Sequence, residues 1–257
     1  MRLICTLLTD FGEVDPYVAA MKGVLLSRAP GVQLVDLSHQ IPPQNVERGS
    51  LFWGDCIPWF PDGAVHLGVI DPGVGTTRRI CVAEGSGQIL VCPDNGLLTD
   101  WWNATEEPRA FEVTREDLRL GDVSSTFHGR DIFSPIAAAL ASGAVKPEEC
   151  GPMISPILLE RSSWEKADSG IRGRVLLVDH FGNCVMNIPG HLFSPGTKLT
   201  LNGTIQVPRV KTYGDASPGE LVLLEGSTGL LEVAVAHGSA AMQLGLVAGN
   251  EVVLELI

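Results

Sequence analysis

Ala64-Val65-His66-Leu67-Gly68-Val69-Ile70-Asp71-Pro72-Gly73-Val74-Gly75-Thr76-Thr77-Arg78-Arg79 decides how the chain is read. An apolar run, Ala64 to Ile70, ends on a carboxylate. A turn with two glycines follows, then two hydroxyls and two guanidinium groups. A short apolar run bounded by Gly and Pro reads as a buried strand. A strand that delivers Asp71 into a glycine-rich loop, with Arg78 returning on the far side, is how an α/β protein builds a polar site at a strand end. Taken alone, Asp71-Pro72-Gly73 is equally readable as a plain turn.

Outward from this stretch, strand and helix signals alternate. Leu3 to Leu8 reads as a buried strand ending at the polar turn Thr9-Asp10-Phe11-Gly12. Pro16 to Arg28 has Val18, Met21, Val24 and Leu25 on one helical stripe. Val32 to Leu37 is a second strand. Asn45 to Trp59 is a second amphipathic helix, using Val46, Leu51, Cys56 and Ile57. Arg79 to Ala83 and Gln88 to Cys92 read as strands of a hairpin joined by Glu84-Gly85-Ser86-Gly87. Asp131 to Ser142 is a further, alanine-rich helix. Alternation of this kind predicts a Rossmann-like, mostly parallel sheet with helices on both faces.

The texture changes after about Ser142. Val145 to Gly170 is rich in Pro, Glu and Ser, with little periodicity, and reads as a connection between domains. Beyond it, short apolar runs recur between Gly and Pro: Arg174 to Val178, Cys184 to Ile188, Lys198 to Leu201, Thr204 to Val207, Leu221 to Leu224, Leu231 to Ala236 and Glu251 to Ile257. These predict a C-terminal antiparallel β-barrel or sandwich. The expected division is 1–160 as an α/β catalytic domain and 161–257 as a β-barrel-like domain.

Composition narrows the function classes. The 257 residues suffice for a sizeable core, with 45% hydrophobic and 19% charged residues. The net charge of −12 argues against nucleic acid, which needs a basic face, and against anionic membrane surfaces. The six cysteines form no C-x-x-C pair and sit mostly in apolar runs, so neither zinc nor a disulfide framework is expected. Met1-Arg2-Leu3-Ile4 runs straight into a strand pattern, with no signal peptide or membrane span visible, and a cytoplasmic protein is expected. The six histidines show no H-x-x-x-H or H-x-E spacing. The chain also lacks the lysine-bearing phosphate loop and the G-x-S-x-G elbow.

Three polar turns of the first half carry candidate chemistry: Thr9 to Gly12, Asp71 to Arg79, and Phe127-His128-Gly129-Arg130-Asp131. Asp10 and Asp71 both follow strands and are expected at one crevice. Asp10 is also readable as a helix N-cap. His128 is a candidate general base or ligand, or a loop histidine without a role. Arg130 and Asp131 are readable as a local pair. In the second half, Asp179-His180-Phe181-Gly182-Asn183 is readable as a hairpin turn. Glu225-Gly226-Ser227-Thr228-Gly229 is a turn whose backbone amides suit a carboxylate.

Six motifs taken together, and in order, are far more specific: Leu8-Thr9-Asp10-Phe11-Gly12, Val69 to Thr76, Pro93-Asp94-Asn95-Gly96, Phe127 to Asp131, Phe181-Gly182-Asn183 and Gly238-Ser239-Ala240-Ala241. With them the chain resembles the S-adenosyl-L-methionine hydroxide adenosyltransferases, adenosine-forming hydrolases related to fluorinase and chlorinase. The resemblance covers essentially the whole chain. It implies attack of water, as hydroxide, on the ribose 5′ carbon, giving adenosine and L-methionine without a metal or other cofactor. It places an Asp-Arg-His set at Asp71, Arg78 and His128, with the spacing favouring Arg78 over Arg79. It places Asp10 on the ribose hydroxyls, Asn183 and Tyr213 on adenine, and Asp179 and Ser227 on the methionine end. It further implies a homotrimer, with each site between the first domain of one subunit and the β domain of its neighbour.

Two departures bear on the reaction. Halogenating relatives carry an aromatic residue where Asp71 stands, a serine where Gly129 stands, and an insertion absent here; these differences favour water over halide. Ala236-His237 stands where relatives often place an asparagine. The alternatives are a halide-using adenosyltransferase and a non-catalytic sensor of adenosyl compounds.

Overall fold

The computed structural model describes residues 3–167 and 170–257. The chain divides into two compact units, 1–159 and 160–257.

The first unit is built on a six-stranded sheet. Its elements are β1 (Ile4–Thr9), α1 (Tyr17–Arg28), β2 (Gln33–Ser38), α2 (Val46–Cys56), β3 (Val65–Val69), β4 (Ile80–Gly85), β5 (Gln88–Pro93), α3 (Thr99–Ala104), β6 (Arg109–Glu112) and α4 (Ser134–Ala141). The strand order is β2-β1-β3-β5-β4-β6. The pairs among β2, β1, β3 and β5 are parallel, and β4 runs antiparallel to both its neighbours.

Strand alternation splits the core in two. Cys5, Leu7, Val65, Leu67, Val69 and Val91 pack with Met21 and Leu25 of α1 and Ile136 of α4. Leu8, Ile70, Cys81, Ala83 and Leu90 pack on the other face with Trp53 of α2 and Trp101 of α3. Helices therefore cover both faces, as expected. Between the layers runs a buried polar chain. His66 Nδ1 lies 2.9 Å from Thr6 Oγ1, His66 Nε2 lies 2.9 Å from Gln88 Oε1, and Gln88 Nε2 donates to the Phe60 carbonyl at 2.9 Å.

Three local expectations need correction. The buried face of α2 is Gly49, Ser50 and Trp53, whereas Val46, Leu51 and Cys56 are only half-buried. The cause is close approach at one turn: a Cβ at Gly49 would sit 2.2 Å from Ile70 Cδ1, so the helix meets the sheet there through a glycine and one turn on through Trp53, while Ile57, just past the helix, is buried as expected. In the β4–β5 hairpin, Glu84 and Gly85 remain in the ladder, and the turn is Ser86-Gly87, both at positive φ. The first part of the 145–170 stretch is laid along β6. Glu112 N donates to Pro152 O at 2.9 Å, Thr114 N to Cys150 O at 3.1 Å, and Ile154 N to Ala110 O at 2.8 Å. These bonds cover an otherwise open sheet edge.

The second unit holds β7 (Glu165–Ala167), β8 (Gly170–Val178), β9 (Cys184–Pro189), β10 (Lys198–Leu201), β11 (Ile205–Pro208), β12 (Leu221–Glu225), β13 (Leu230–Val235), the short α5 (Ala240–Leu244) and β14 (Glu251–Leu256). Its strands run β11-β10-β14-β8-β9-β13-β12, with β7 on β8, and every pair is antiparallel. Val210 N donates to Leu223 O at 2.9 Å, which nearly closes the path into a barrel. Val175, Met186, Leu199, Leu231, Val233 and Leu254 fill it.

Candidate active site

Topology positions the first cluster. From β1 the chain crosses to β2 on one side, while β3 lies on the other. The carboxyl ends of β1 and β3 therefore flank a switch point, where open α/β sheets bind ligands. Thr9 pairs in register with Val69, so Asp10 leaves one of these strands and Asp71 the other.

Asp71 opens a tight loop. Val74 N donates to Asp71 O at 3.2 Å, and Thr76 Oγ1 donates to Gly73 O at 2.6 Å. Gly75 has φ +77°, and a Cβ there would sit 2.8 Å from Ser125 O. Only glycine lets this loop lie against the segment leading to His128. The returning strand brings Arg78 back over Asp71. Arg78 Nε lies 2.8 Å from Oδ1 and 2.9 Å from Oδ2, and Nη2 also donates to Oδ2. Nη2 reaches His128 Nδ1 at 2.9 Å. The Arg78 guanidinium sits 5.1 Å from the centre of the Phe133 ring, a cation–π distance. Asp71, Arg78 and His128 thus form one hydrogen-bonded row, with side-chain exposure of 5% for Asp71 and 11% for Arg78. Arg79 points elsewhere, with Nε donating to Asp94 Oδ2 at 2.7 Å and Nη2 to Ser155 O at 3.1 Å.

His128 enters α4 through a single π turn, Gly129–Phe133. Pro135 has no N–H to give the Asp131 carbonyl four residues back, and Leu120 N takes that carbonyl instead at 2.8 Å. Arg130 does pair with Asp131, at 2.6 and 3.0 Å, but Asp131 also accepts Ser124 N at 2.8 Å and so ties down the preceding loop. Burial and the neighbouring Arg78 charge hold the His128 imidazole below its ordinary pKa, so it is neutral near pH 7. Asp10 accepts the Gln44 N–H at 2.7 Å through Oδ2; it steadies the loop entering α2 rather than capping α1. Phe11, Tyr17 and Phe127 meet edge to face, at 5.8, 6.2 and 5.0 Å between centroids, beside both polar turns. Tyr17 was not singled out by the sequence reading.

The second cluster lies wholly in the barrel unit, around a cavity of about 1050 Å³ whose lining includes Asp179, Asn183, Tyr213, Ser227 and Glu232. Asp179 Oδ1 accepts the N–H of Phe181 at 2.9 Å and of Asn183 at 2.8 Å, which is the hairpin-turn geometry. Asp179 Oδ2 accepts Asn183 Nδ2 at 2.9 Å. Gly182, at φ +87°, lies against Ser239, where a Cβ would be 2.1 Å from Oγ. Ser239 in turn caps α5 by accepting Met242 N at 3.2 Å. Ser227 is exposed on the cavity rim. Tyr213 donates its hydroxyl to Glu232, a residue that sequence reading passed over. Glu232 is 6% exposed, and the signal for it was a lone carboxylate inside the apolar run Leu230 to Val235. Burial pushes the Glu232 carboxyl up, the Tyr213 bond pulls it back, and Asp179 adds an upward push.

None of the six cysteines forms a disulfide. Among the described residues, no helix is long and apolar enough to cross a membrane, and no three His, Cys, Asp or Glu side chains gather where they could hold a metal ion.

Comparison with known proteins matches both units. The SAM hydroxide adenosyltransferase N-terminal domain profile covers residues 5–151, and the C-terminal domain profile covers 173–253. An (R)-S-adenosyl-L-methionine hydrolase from Salinispora tropica is 44% identical over 248 residues, 94% of each chain. A fluorinase from an Actinoplanes species is 30% identical over 285 residues, 96% of this chain and 95% of its own. A crystal structure of an uncharacterized conserved protein from Thermotoga maritima superposes with a TM-score of 0.91 at 33% identity, covering 98% of this chain and 99% of that one. The family read from six ordered motifs is the one both profiles match: the chain belongs to the SAM hydroxide adenosyltransferase family.

Proposed function

We propose that this protein hydrolyses S-adenosyl-L-methionine to adenosine and L-methionine, acting on the (R) sulfonium epimer named for its hydrolase relatives. The observation that carries the reading is the row Asp71–Arg78–His128 at the carboxyl end of β3. The substrate already holds a good leaving group, a sulfonium that departs as a neutral thioether. The site then needs a positioned, deprotonated nucleophile more than an acid.

The row supplies both requirements. Asp71 holds the Arg78 guanidinium in place and leaves its other N–H groups free to face an oxyanion. A water that accepts the Arg78 N–H now given to His128, and donates in return to His128 Nδ1, is polarised from two sides. His128 takes the proton, the oxygen forms its bond to C5′, and the C5′–S electron pair leaves on sulfur as methionine. Asp10, already rigid through Gln44, receives the ribose hydroxyls. Asn183 and Tyr213 receive adenine, and Asp179 and Ser227 the methionine end. The first unit carries the chemistry and the barrel unit the recognition, in a homotrimer whose sites each use the first unit of one subunit and the barrel of its neighbour. The scheme calls for no metal or other cofactor.

Chromatography of purified protein with (R)-S-adenosyl-L-methionine and a chelator should show adenosine and methionine in equal amounts. Folded protein that yields no adenosine above the blank refutes the assignment. Chloride or fluoride in the same assay should give no 5′-halogenated adenosine. Light scattering should report three chains per particle.

A further inference from the structure

The barrel unit holds a second cavity, of about 390 Å³, whose lining includes His191, Phe193, Ser194, Arg209, Lys211 and Glu225. That volume falls within the roughly 300–1,000 Å³ of small-ligand sites. Arg209 forms its buried wall, at 4% exposure. A guanidinium has five N–H donors, and few of these are met. Nη1 donates to the adjacent Val210 carbonyl, and Nε has no partner among the described residues. Nη2 lies 3.5 Å from Glu225 Oε2, beyond ordinary hydrogen-bond length. The Glu225 side chain is itself 44% exposed, so water competes for it. Burial is the larger influence on the Arg209 pKa, pulling it down, and Glu225 pushes back. A buried charge is ordinarily paired and hydrogen-bonded; here the protein supplies less than the group requires.

The backbone holds this arginine in place. Arg209 N donates to Thr197 O at 2.9 Å, and Gly196 N donates to Arg209 O at 2.7 Å. The residue following β11 is thereby fixed against the turn that carries Ser194. The end of β12 separates this cavity from the larger one. Glu225 lies against Gly190, where a Cβ would be 2.3 Å from Glu225 Cγ. Gly226 turns the other way, and a Cβ there would be 2.8 Å from Glu232 Oε2, on the lining of the larger cavity. Lys211 and His191 add an exposed ammonium and an exposed imidazole to the lining. Arg209 and Lys211 against Glu225 leave a positive charge in excess, on a chain whose net charge is −12.

We propose that this cavity is a binding site for phosphate, free or as a small monoester, with Arg209 as its principal ligand. A phosphate monoester carries about −1.5 to −2 charges near pH 7 and three strong acceptor oxygens. Those oxygens take N–H groups that Arg209 leaves unmet, and the planar fork of a guanidinium suits two of them at once. Two cations, Arg209 and Lys211, match a dianion better than a single carboxylate. The Ser194 hydroxyl is a further donor, and Phe193 and Pro195 offer an apolar wall to the organic part of a monoester. Glu225 opposes an anion, and its exposed side chain turns toward solvent as phosphate takes its place beside Arg209. The site serves no step of the hydrolysis proposed above and does not rest on it.

The test is calorimetric titration of the full-length protein at pH 7 with inorganic phosphate, with glycerol 3-phosphate, and with acetate as the singly charged comparison. At least one phosphate should bind with a Kd below about 1 mM and about tenfold or more tighter than acetate. The tighter of the two phosphates identifies the ligand as esterified or free, and either order supports the site. Arg209→Met should weaken that binding at least about tenfold, the scale for removing a buried charge partner. Lys211→Ala, at an exposed position where folding is not at stake, should weaken it about two- to fivefold. Phosphate should raise the thermal midpoint of the wild type and not that of Arg209→Met. An arginine that served only to hold Val210 and Glu225 would give no such gain. A Kd above about 1 mM for both phosphates, affinity no better than for acetate, or binding that both variants leave unchanged overturns the proposal. So does phosphate seen as an adventitious ion only, at crystal concentration. Displacement of phosphate by adenosine and methionine also overturns it, because the anion would then occupy the larger cavity.

Discussion

Arg78 Nη2 lies 2.9 Å from His128 Nδ1, and a guanidinium has no lone pair with which to accept. Arg78 is the donor, so the resting imidazole carries its hydrogen on Nε2 and keeps Nδ1 unprotonated. The tautomer of His128 is thus set by one neighbour, which Asp71 itself holds by two nitrogens, and that neighbour adds to burial in keeping the ring neutral.

Arg78→Lys should therefore be far from conservative. An ammonium has no planar fork with which to hold Asp71 and His128 together. Turnover should fall by about 10²–10⁴-fold, the range for losing a positioned proton-transfer partner, while adenosine affinity changes little. Steady-state kinetics paired with adenosine titration checks this; a variant within about threefold of wild-type kcat refutes the role of the row.

The pH dependence follows from the same contact. Burial and Arg78 hold the His128 pKa below its ordinary value. Catalysis by neutral His128 should persist to correspondingly lower pH and fail as the ring protonates against Arg78. The acid limb of kcat/KM should therefore have an apparent pKa below the ordinary ~6.5. A limb centred at 7 or higher contradicts the assignment.

His66 gives a separate signature, in stability. Buried between Thr6 and Gln88, its pKa is depressed to about 4 by burial. The folded value lies below the unfolded one, so the contribution to stability is complete above ~6.5 and is lost as pH falls through about 4, a difference of about 3 kcal/mol. Urea midpoints between pH 7 and pH 4 should fall more steeply in the wild type than in His66→Gln. Parallel slopes would remove His66 from the account.

Gly75→Ala should damage the site without touching a catalytic group. Its φ of +77° and the 2.8 Å approach of Ser125 O leave no room for a Cβ. A loss of about 1–3 kcal/mol is expected, with a larger proportional loss of turnover, because the loop that carries Asp71 can then lie against the His128 segment only by shifting. Thermal unfolding and kinetics on one preparation test both halves; unchanged turnover would show that the loop contact does not matter.

Five of the six sheet strands of the first unit were legible because their runs are bounded by glycine, proline or a carboxylate, as Ala64 to Asp71 is; β6 was not, because Arg109 and Glu112 leave only Ala110 and Phe111 as its apolar residues. The buried face of α2 was not, because Gly49 and Ser50 bury by being small, and hydropathy counts only the large apolar residues around them. Glu165–Ala167 forms a strand although Glu165 and Lys166 carry no apolar pattern; its pairing with β8 supplies what propensity does not. That Asp71, Arg78 and His128 meet in one hydrogen-bonded row could be anticipated only through the family resemblance carried by the ordered motifs. Glu232 was hidden because its meaning lies in Tyr213, 19 residues earlier, and nothing in the local run announces that partner.

The π turn at Gly129–Phe133 has an implication for how the family can change. A π turn is an α-helix carrying one surplus residue. Deleting a single codon there would let α4 begin as an ordinary helix, yet it would rotate everything upstream by roughly 100°, one residue's share of a helical turn. His128 would swing away from Arg78 while the fold improved locally. Regular helix geometry and the placement of His128 beside Arg78 therefore make opposite demands on this one turn.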